Sequence, residues 1–305
     1  MKITIGTRGS KLALWQAHYV ADRLHQHGVT TEIRIIRTKG DKRQEVSIAE
    51  IGTRGVFTEE IEEQLQQRTI DIAVHSAKDL QSELANAFEI IAFTERERMY
   101  DVLVSHRSLS PLTPDSSWTI GTSSARRRAL LSHYYPGLKT VEMRGNLQTR
   151  IAKMEAGQCD ALMLAYAGVH RMNYEAMIVH EFPLQRLIPA VGQGSVAVEA
   201  LRDLDTEKKA RVRHAINHEM TERHLLAERA YLKTLRGGCS IPVFALARQE
   251  DDEIYLQGGV VSLNGKQLVV DQANGPAETA VEIGEQLAQK ILARGGEQIL
   301  AEIRS

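Results

Sequence analysis

Short runs of apolar and β-branched residues alternate with longer segments of helical period through the first two-thirds of the chain. This alternation is typical of a mostly parallel sheet with helices on both faces. The apolar runs predict strands at 3–6, 32–38, 70–74, 90–93, 102–105, 118–121, 140–143 and 161–164. The longer segments predict helices at 12–27, 58–67, 124–135 and 146–156. The fold class indicated is α/β.

Interruptions of this pattern indicate more than one domain. The pattern breaks near residue 96 and resumes after a polar, proline-bearing loop at 108–117. A further apolar run at 196–199 could return the chain to its first part. From residue 207 onward the pattern predicts two charged helices, strands at 241–246, 254–261 and 267–270 with a hairpin turn at Asn264-Gly265, and a final helix at 278–294. We predict lobe 1 at 1–95 and 195–215, lobe 2 at 96–194, and a small α+β C-terminal domain at 216–305.

Composition places the chain among globular proteins and narrows its partners. With 305 residues, 43% of them hydrophobic, the chain has material for two or three packed cores. Its 38 basic residues are balanced by 39 acidic ones and only 5% of residues are aromatic, which argues against a nucleic-acid surface. The chain enters a strand at residues 2–6 and contains no apolar run of about eighteen residues, so we predict a cytoplasmic protein without membrane contact.

Arginines collect beside glycines and hydroxyl residues at the ends of predicted strands. The chain has 26 arginines and 12 lysines, and the planar guanidinium group binds carboxylates and phosphates through two hydrogen bonds at once. Thr122, Ser123 and Ser124 open a helix, where free backbone N–H groups favour an anion, and Arg126 and Arg127 follow. The alternative is an ordinary serine N-cap with a solvated basic face. Three successive arginines point about 100° apart and should not all pair with one acid, which favours the anion site.

The same combination recurs at two other strand ends. Arg144 and Arg150 flank the start of the next predicted helix, and Arg8 and Ser10 lie in the glycine-containing turn after the first strand. One glycine-rich turn between a strand and a helix is weak evidence, because such turns are common. Ligands of open α/β sheets bind at the carboxyl ends of the strands. Three such ends therefore predict one pocket for a small molecule with several negative groups.

A hydroxyl, a cation and a carboxylate follow the third predicted strand, in the sequence His75-Ser76-Ala77-Lys78-Asp79. Asp79 is the strongest acid–base candidate, since a carboxylate there would stabilise a developing cation or accept a hydrogen bond from a ring N–H. The alternative is a helix N-cap beside a surface lysine. We interpret His75 as a packing or orienting residue. No set of His, Cys or carboxylate residues has the spacing of a metal site, so we predict no metal.

The two cysteines are too few for a disulfide framework. Cys239 follows Gly237 and Gly238 on a loop that would let its sulfur project, although a cysteine is more often a small buried hydrophobe. Cys159 precedes an acid and a buried-strand pattern, and we interpret it as structural. The polar stretch at 41–55 is long enough to form a flap over a cleft.

Taken in order, these segments resemble the porphobilinogen deaminase family over nearly the whole chain. The segments that carry the resemblance are 7–13, 71–79, 121–127, 144–150, 189–194 and 237–239. The resemblance implies two lobes like those of periplasmic-binding proteins plus the small C-terminal domain. It also implies a monomeric transferase that deaminates four porphobilinogen molecules and joins them head to tail into the linear tetrapyrrole hydroxymethylbilane.

The resemblance implies roles for individual residues. Cys239 would hold a dipyrromethane cofactor through a thioether, and Asp79 would hold pyrrole N–H groups and offset the positive charge that follows loss of ammonia. The residues implied to bind cofactor and substrate are Arg8, Ser10, Lys78, Thr122, Ser123, Ser124, Arg126, Arg127, Arg144, Arg150, Arg171 and Gln193. The chain departs from the family pattern at Ala77, Leu80 and Gln81, which leaves the stiffness of the turn around Asp79 and the affinity for substrate open.

Two other functions fit parts of the sequence. A two-lobed binding protein for a small polycarboxylate would use the same arginine pocket, but it gives Cys239 no role. A hydrolase or transferase with Cys239 as nucleophile would need an imidazole to form the thiolate, and no histidine is near it in sequence. A covalent adduct of two pyrrole units on Cys239 would separate the deaminase from both alternatives.

Overall fold

The computed structural model describes residues 1–38, 58–238 and 240–304 of the chain. Two features predicted from the sequence, the flap at 41–55 and the projecting thiol of Cys239, lie outside the described residues. The fold and the candidate site are therefore built from the remaining predicted segments.

The described residues form two compact units, each made from two separate stretches of the chain. One unit is Met1–Glu97 with Gly194–Glu222, and the other is Arg98–Gln193 with Arg223–Ser305. The predicted three-domain division stays a prediction. In chain order the strands are β1 Lys2–Arg8, β2 Thr30–Ile36, β3 Ile72–Ser76, β4 Phe88–Phe93, β5 Asp101–Val104, β6 Thr119–Gly121, β7 Lys139–Val141, β8 Ala161–Ala165, β9 Ile178–Glu181, β10 Val196–Leu201, β11 Val243–Glu250, β12 Glu253–Val261 and β13 Leu268–Pro276. The helices are α1 Lys11–Gln26, α2 Glu59–Gln66, α3 Ala125–Tyr134, α4 Leu147–Glu155, α5 Tyr166–Arg171, α6 Thr206–Ile216, α7 Glu219–Thr234, α8 Ala280–Ile291 and α9 Glu297–Arg304.

The first unit is built on a mixed sheet whose described strands run in the order β2-β1-β3-β10-β4. β1 pairs in parallel with β2 and β3, and β10 runs antiparallel between β3 and β4. Both faces of the sheet are apolar. Ile5 and Val74 pack into a core with residues of α1 and α6, whereas Ala73 packs with Ile61 and Leu65 of α2. Strands that are apolar on both faces are what a sheet between two helical layers requires.

Strand β10 joins the first sheet through a glycine turn. Gly194 has a φ of 100°, and a Cβ at this position would lie 2.4 Å from the carbonyl oxygen of Glu97. The N–H of Glu97 donates to the carbonyl oxygen of Gly194 at 3.2 Å. The hydroxyl of Ser195 donates to the carbonyl oxygen of Thr94 at 3.0 Å. The stretches that end at Glu97 and begin at Gly194 are therefore fixed to each other by close backbone contact that only glycine permits.

The second unit contains two sheets in its described part. A mixed sheet has the order β7-β6-β8-β5-β9, in which β6 is parallel to β7 and β8, and β5 is antiparallel to β8 and β9. An antiparallel sheet has the order β11-β12-β13 and packs against α8. Phe244 and Val261 of this small sheet pack with Leu130 of α3, so one core continues from the mixed sheet into the antiparallel one.

The predicted α/β class and the α+β character of the C-terminal segment are confirmed. Helix α5 and strand β9 were not predicted. The helix predicted at 278–294 is present as α8, but it is not the final helix, because Gly295, with a φ of 100°, separates it from α9. Within the described ranges, none of the helices combines the length and apolar character that a membrane crossing needs.

Candidate active site

Two predicted segments of the first unit share one edge of its sheet. β1 and β3 are parallel neighbours, with Gly6 opposite Ala73, so the residues that follow both strands emerge at the same edge. Arg8 ends β1, and Lys78 and Asp79 follow β3. The carboxyl ends of parallel strands are where open α/β sheets bind ligands. This edge therefore combines two cations and a carboxylate at a position suited to ligand binding.

Ser10, two residues after β1, is the N-cap of α1. Its Oγ accepts a hydrogen bond from the N–H of Ala13 at 3.2 Å. A serine cap of this kind stabilises a helix by about 1 kcal/mol. Ser10 therefore has a structural role in the first unit, and its hydroxyl lies at the sheet edge that carries Arg8.

The turn that follows β3 is fixed from two sides. The Oγ of Ser76 accepts a hydrogen bond from Nε2 of Gln16 at 2.8 Å, and the N–H of Ala77 donates to the carbonyl oxygen of Ser195 at 3.0 Å. A single 3-10 turn, Ala77–Asp79, follows and leaves the side chain of Asp79 exposed. Asp79 is thus an exposed carboxylate on a backbone that its neighbours hold in place.

In the second unit, Thr122, Ser123 and Ser124 form a hydroxyl segment between β6 and α3. The Oγ1 of Thr122 accepts a hydrogen bond from the N–H of Ser124 at 3.3 Å, and the Oγ of Ser124 accepts one from the N–H of Arg127 at 3.4 Å. The Oγ of Ser123 donates to the carbonyl oxygen of Met143 at 2.9 Å. The hydroxyl segment therefore caps α3 and ties the end of β6 to the chain that follows β7.

Arg144 and Arg150 lie just after β7, the parallel neighbour of β6. Nε of Arg144 donates to the carboxylate of Glu142 at 2.6 Å, and 20% of the Arg144 side chain is exposed. Nε of Arg150 donates to the carbonyl oxygen of Gly145 at 2.7 Å. Gly145 has a φ of 113°, and a Cβ there would lie 2.7 Å from Thr149. Because β6 and β7 are parallel, these arginines share a sheet edge with the hydroxyl segment.

A buried carboxylate, that of Asp101, binds three of the predicted ligand-binding residues. Asp101 begins β5 and is fully buried. Its carboxylate accepts hydrogen bonds from Arg126 at 2.7 Å, from Arg127 at 2.7 and 3.1 Å, and from Nε2 of Gln193 at 3.1 Å. Other guanidinium N–H groups of the two arginines donate to backbone carbonyl oxygens at 2.9 and 2.8 Å. Three residues selected as ligands thus converge on an acid that the sequence did not single out.

Two of the three successive arginines, Arg126 and Arg127, share the carboxylate of Asp101. Only 4% of Arg126 and 6% of Arg127 is exposed. Burial by itself would raise the pKa of Asp101, but the charges of the two guanidinium groups hold that pKa well below its usual range. The two arginines are therefore core partners of Asp101, and Nε of Arg126 is the one nitrogen of the two guanidinium groups that is buried without an acceptor among the described residues.

The remaining predicted residues fall in three different environments. Arg171 ends α5, the short helix that follows β8, and is half-buried. Because β8 is parallel to β6, α5 begins at the edge that carries the hydroxyl segment. Cys159 is buried, and burial raises its pKa to about 11, so its thiol is not a nucleophile at neutral pH. Cys239, the predicted attachment residue, lies outside the described residues.

Similar proteins are found over the whole chain. A family model described as porphobilinogen deaminase, dipyromethane cofactor binding domain, matches residues 3–210, and one described as porphobilinogen deaminase, C-terminal domain, matches residues 223–293. The chain is 53% identical over 305 residues to a porphobilinogen deaminase of Desulfosudis oleivorans, with 100% of this chain and 98% of the relative covered. It is 53% identical over 302 residues to a porphobilinogen deaminase of Cytophaga hutchinsonii, with 99% and 97% covered.

Similarity to solved structures is more distant. The methionine binding protein MetQ is 13% identical with a TM-score of 0.45, over 70% of this chain and 89% of that chain. The periplasmic VFT2 domain of BvgS from Bordetella pertussis is 18% identical with a TM-score of 0.43, over 70% of this chain and 86% of that chain. Similarities at this level carry no information about the ligand of this chain.

Proposed function

Because this chain belongs to the porphobilinogen deaminase family, we propose that its predicted site residues carry out the reaction of that family. The protein is a transferase that releases ammonia from porphobilinogen and joins four units head to tail into hydroxymethylbilane, on a dipyrromethane cofactor. The family match does not favour the alternative of a polycarboxylate-binding protein. This reaction needs a group that stabilises positive charge and further groups that hold carboxylates.

Asp79 is the residue that we assign to the positive charge. Loss of ammonia from the aminomethyl group of porphobilinogen leaves a cation delocalised onto the pyrrole nitrogen. A carboxylate that accepts a hydrogen bond from that N–H stabilises the cation as it forms. The observation that carries this assignment is the exposed Asp79 side chain on a turn that Gln16 and Ser195 fix through Ser76 and Ala77. A preorganised carboxylate loses little energy to reorganisation during the reaction.

The carboxylates of substrate and cofactor are assigned to the cations and hydroxyls at the two sheet edges. Every pyrrole unit carries an acetate and a propionate, so each added unit brings two more negative charges. Charge-assisted hydrogen bonds from guanidinium groups and from helix N-termini suit such ligands. The residues assigned to direct binding are Arg8, Ser10, Lys78, Thr122, Ser123, Ser124, Arg144, Arg150 and Arg171.

Arg126, Arg127 and Gln193 are assigned a supporting role in binding within the second unit. Their bonds to Asp101 fix their positions, so a ligand would meet only the N–H groups that Asp101 leaves open. Nε of Arg126 is such a group, since it is buried without an acceptor among the described residues. A cofactor carboxylate would supply the missing acceptor, and this orphaned donor fits a dipyrromethane bound at the same edge.

Cys239 is assigned to hold the dipyrromethane through a thioether, on the strength of the family match alone. When bound, the dipyrromethane supplies the ring to which the first substrate unit is joined. Cys159 is excluded from this role by its burial and by its raised pKa of about 11. We further propose a monomeric, cytoplasmic enzyme that does not bind nucleic acid, which rests on the family resemblance and on the balanced charge of the chain.

The assignment of Asp79 is tested by comparing Asp79→Asn with Glu83→Gln, which changes an exposed carboxylate four residues away. Asp79→Asn should keep a two-pyrrole adduct on Cys239 by intact-protein mass spectrometry and lose about 100- to 1,000-fold in kcat, the usual effect of removing one electrostatic stabiliser. Glu83→Gln should match the wild type in both measurements. Normal turnover by Asp79→Asn would remove Asp79 from the mechanism, and a bare polypeptide mass in active enzyme would refute the attachment at Cys239.

A further inference from the structure

A buried acid–base pair lies directly behind the turn that carries Asp79. Nε2 of His75 is 3.1 Å from Oε2 of Glu199, and 5% and 0% of the two side chains is exposed. The contact is short enough for an ion pair but is not aligned as a hydrogen bond. Neither this nitrogen nor the two carboxylate oxygens of Glu199 have a hydrogen-bond partner among the described residues. Buried polar groups are normally satisfied, so this pair requires a physical explanation.

A second carboxylate, that of Glu62, faces the pair from α2. Ala73 of β3 is opposite Glu199 in the antiparallel register, and Ala73 packs against Ile61 of α2. His75 is two residues after Ala73 and therefore lies on the same face of the sheet. Oε1 of Glu62 is also buried without a hydrogen-bond partner in the described part of the chain.

The charges around this triad of Glu62, His75 and Glu199 are unbalanced. Burial first, and the negative charge of Glu199 second, raise the pKa of Glu62, while the Thr58 hydroxyl and His75 lower it. The two carboxylates, Glu62 and Glu199, face one imidazole ring. Among the described residues, no group of three or more His, Cys, Asp or Glu side chains is arranged to hold a metal ion. A proton shared within the triad offsets the repulsion between the two carboxylates.

Other charged groups reach the same face from the neighbouring elements. Arg8 of β1 lies two residues after Gly6, which is opposite Ala73, so Arg8 is on the face that carries His75. Glu59 and Glu60 are the acidic residues that precede the triad on α2, and the charge of Glu59 also raises the pKa of Glu62. On β4, the residue opposite Glu199 is the apolar Ile90.

The triad is coupled to the proposed catalytic turn through the backbone. His75 is the residue before Ser76 on β3, and the turn Ala77–Asp79 begins two residues after it. Glu199 is on β10, the strand preceded by Ser195, which accepts the hydrogen bond of Ala77. Any displacement of α2 or β10 at the triad therefore moves the two strands that hold the turn.

We propose that Glu62, His75 and Glu199 are positioning residues, which share a proton and thereby fix the strand end that presents Asp79 to the substrate. This inference rests on the proposed role of Asp79. With the proton bound, only one of the two acids carries its full negative charge. Loss of the proton leaves two carboxylates facing each other across the contact between α2 and the sheet, and this repulsion loosens the turn.

The sign of the pH effect follows from Glu62. Its folded pKa lies above the ordinary value of 4.5, so the protonated form is favoured in the folded state. The associated stabilisation is fully present below pH 4.5 and is lost as the pH rises through the folded value. We expect the kcat of the wild type to fall as Glu62 loses this proton. Glu62→Gln cannot ionise and should escape this loss.

The test compares Glu62→Gln with Glu63→Gln, which changes the next residue of α2, whose side chain is exposed. The ratio of kcat for Glu62→Gln to kcat for the wild type should start near one at the acid end and rise with pH, by up to about tenfold for each pH unit above the folded pKa of Glu62. The same ratio for Glu63→Gln should stay flat. With kcat expressed per folded holoenzyme, a flat ratio for Glu62→Gln would overturn the proposal, because a merely structural role changes the amount of folded enzyme and leaves its turnover unchanged.

Two further measurements keep the proposal falsifiable. In Glu199→Gln holoenzyme, kcat should fall by about 10- to 100-fold with KM changed less than about threefold, as expected for small misplacement of a catalytic group; unchanged kcat would overturn the proposal. The NMR resonances of the His75 ring should shift in Glu62→Gln and not in Glu63→Gln, and identical spectra would overturn the proposal without any activity assay. The adduct mass and the turnover of Asp79→Asn test the proposed function separately. A failure of the proposed function can therefore be distinguished from a failure of the proposal about Glu62, His75 and Glu199.

Discussion

Asp101 fixes the positions of Arg126 and Arg127, two of the three successive arginines of the chain. Its carboxylate accepts hydrogen bonds from Arg126 and Arg127 in a fully buried position. A buried charge without a partner costs several kcal/mol, so removing any one of the three groups alone would destabilise the folded protein. The arginines are thus held at fixed positions whether or not a ligand is present, which is the property a binding site for a polyacid requires.

The first prediction concerns removal of this carboxylate. Asp101→Asn should destabilise the protein by about 3–5 kcal/mol, because it leaves two buried guanidinium groups without their anion. Urea unfolding at neutral pH measures the change. Asp115→Asn, which alters an exposed aspartate of the same unit, serves as the control and should lie within about 0.5 kcal/mol of the wild type. Equal stability of the two variants would contradict the role of Asp101 as the compensating charge.

The same carboxylate predicts a pH dependence of stability. The folded pKa of Asp101 is depressed from the ordinary value of 3.8, so its stabilising contribution is fully present above pH 3.8 and is lost as the pH falls toward the folded value. Wild-type protein should therefore lose stability steadily below pH 3.8, whereas Asp101→Asn should show a shallower acid limb. Melting temperatures measured at several pH values between 2 and 6 provide the comparison. Parallel curves of melting temperature against pH for the two proteins would contradict this linkage.

The next prediction separates core arginines from arginines at the sheet edge. Arg127→Leu should lower the free energy of unfolding by about 3–5 kcal/mol, because Asp101 loses a buried partner. Arg144→Leu should change it by less than about 1 kcal/mol, because Arg144 is partly exposed and its ion pair with Glu142 is near the surface. Both variants should show a reduced two-pyrrole adduct by intact-protein mass. Full cofactor loading in Arg144→Leu would remove that arginine from the binding set.

At the scale of elements, hydrophobic period predicted the strands and helices that are long or buried. Helix α5 was not predicted, because six residues are too short to show a 3.6-residue period. Strand β9 was not predicted, because only alternate positions of this edge strand are even half-buried. The predicted helix at 278–294 corresponds to α8, but α9 was missed, since the chain resumes a helix after Gly295 adopts a positive φ. Propensity marks a glycine as a possible stop, but the surrounding contacts decide whether the helix ends there.

For the site, the sequence located the strand ends but not the acid that organises them. The turns after β1, β6 and β7 were found because glycine and arginine cluster there with hydroxyl or amide residues, and the turn after β3 was found from Ser76, Lys78 and Asp79. Asp101 is 25 residues before Arg126, and only the antiparallel pairing of β5 with β8 places it at that edge. A signal was available, since Asp101 opens the buried run Asp101–Val104, and a buried acid must have a partner.

The turn into β10 gives a prediction at this scale. Gly194→Ala should destabilise the protein by more than about 3 kcal/mol, because it combines a left-handed backbone with a Cβ placed 2.4 Å from the carbonyl oxygen of Glu97. Gly28→Ala is the matched control, with a φ of 74° and open space around its Cβ, and should cost only about 1–2 kcal/mol. Similar melting temperatures for the two variants would show that the close contact with Glu97 is unimportant.

At the scale of the whole molecule, one buried carboxylate joins parts of the second unit that are distant in sequence. Glu228 of α7 is fully buried and accepts hydrogen bonds from the N–H of Gly192 and from the N–H of Ala247 on β11, each at 2.9 Å. Gly192 precedes Gln193, which donates to Asp101. Helix α7, the antiparallel sheet and the Asp101 cluster are therefore connected through a short series of hydrogen bonds.

The last prediction tests this connection. Glu228→Gln should destabilise the protein by about 1.5–3 kcal/mol, because an amide has one acceptor oxygen and must leave one of the two backbone N–H groups facing its own NH2. Glu282→Gln on α8 is the control, since that glutamate is exposed. Hydrogen exchange locates the effect: the amides of Gly192 and Ala247 should lose protection in Glu228→Gln, and the loss should extend to Gln193 if the series of bonds acts as one unit. Loss of protection spread evenly over the unit would instead indicate general destabilisation without a specific connection to the Asp101 cluster.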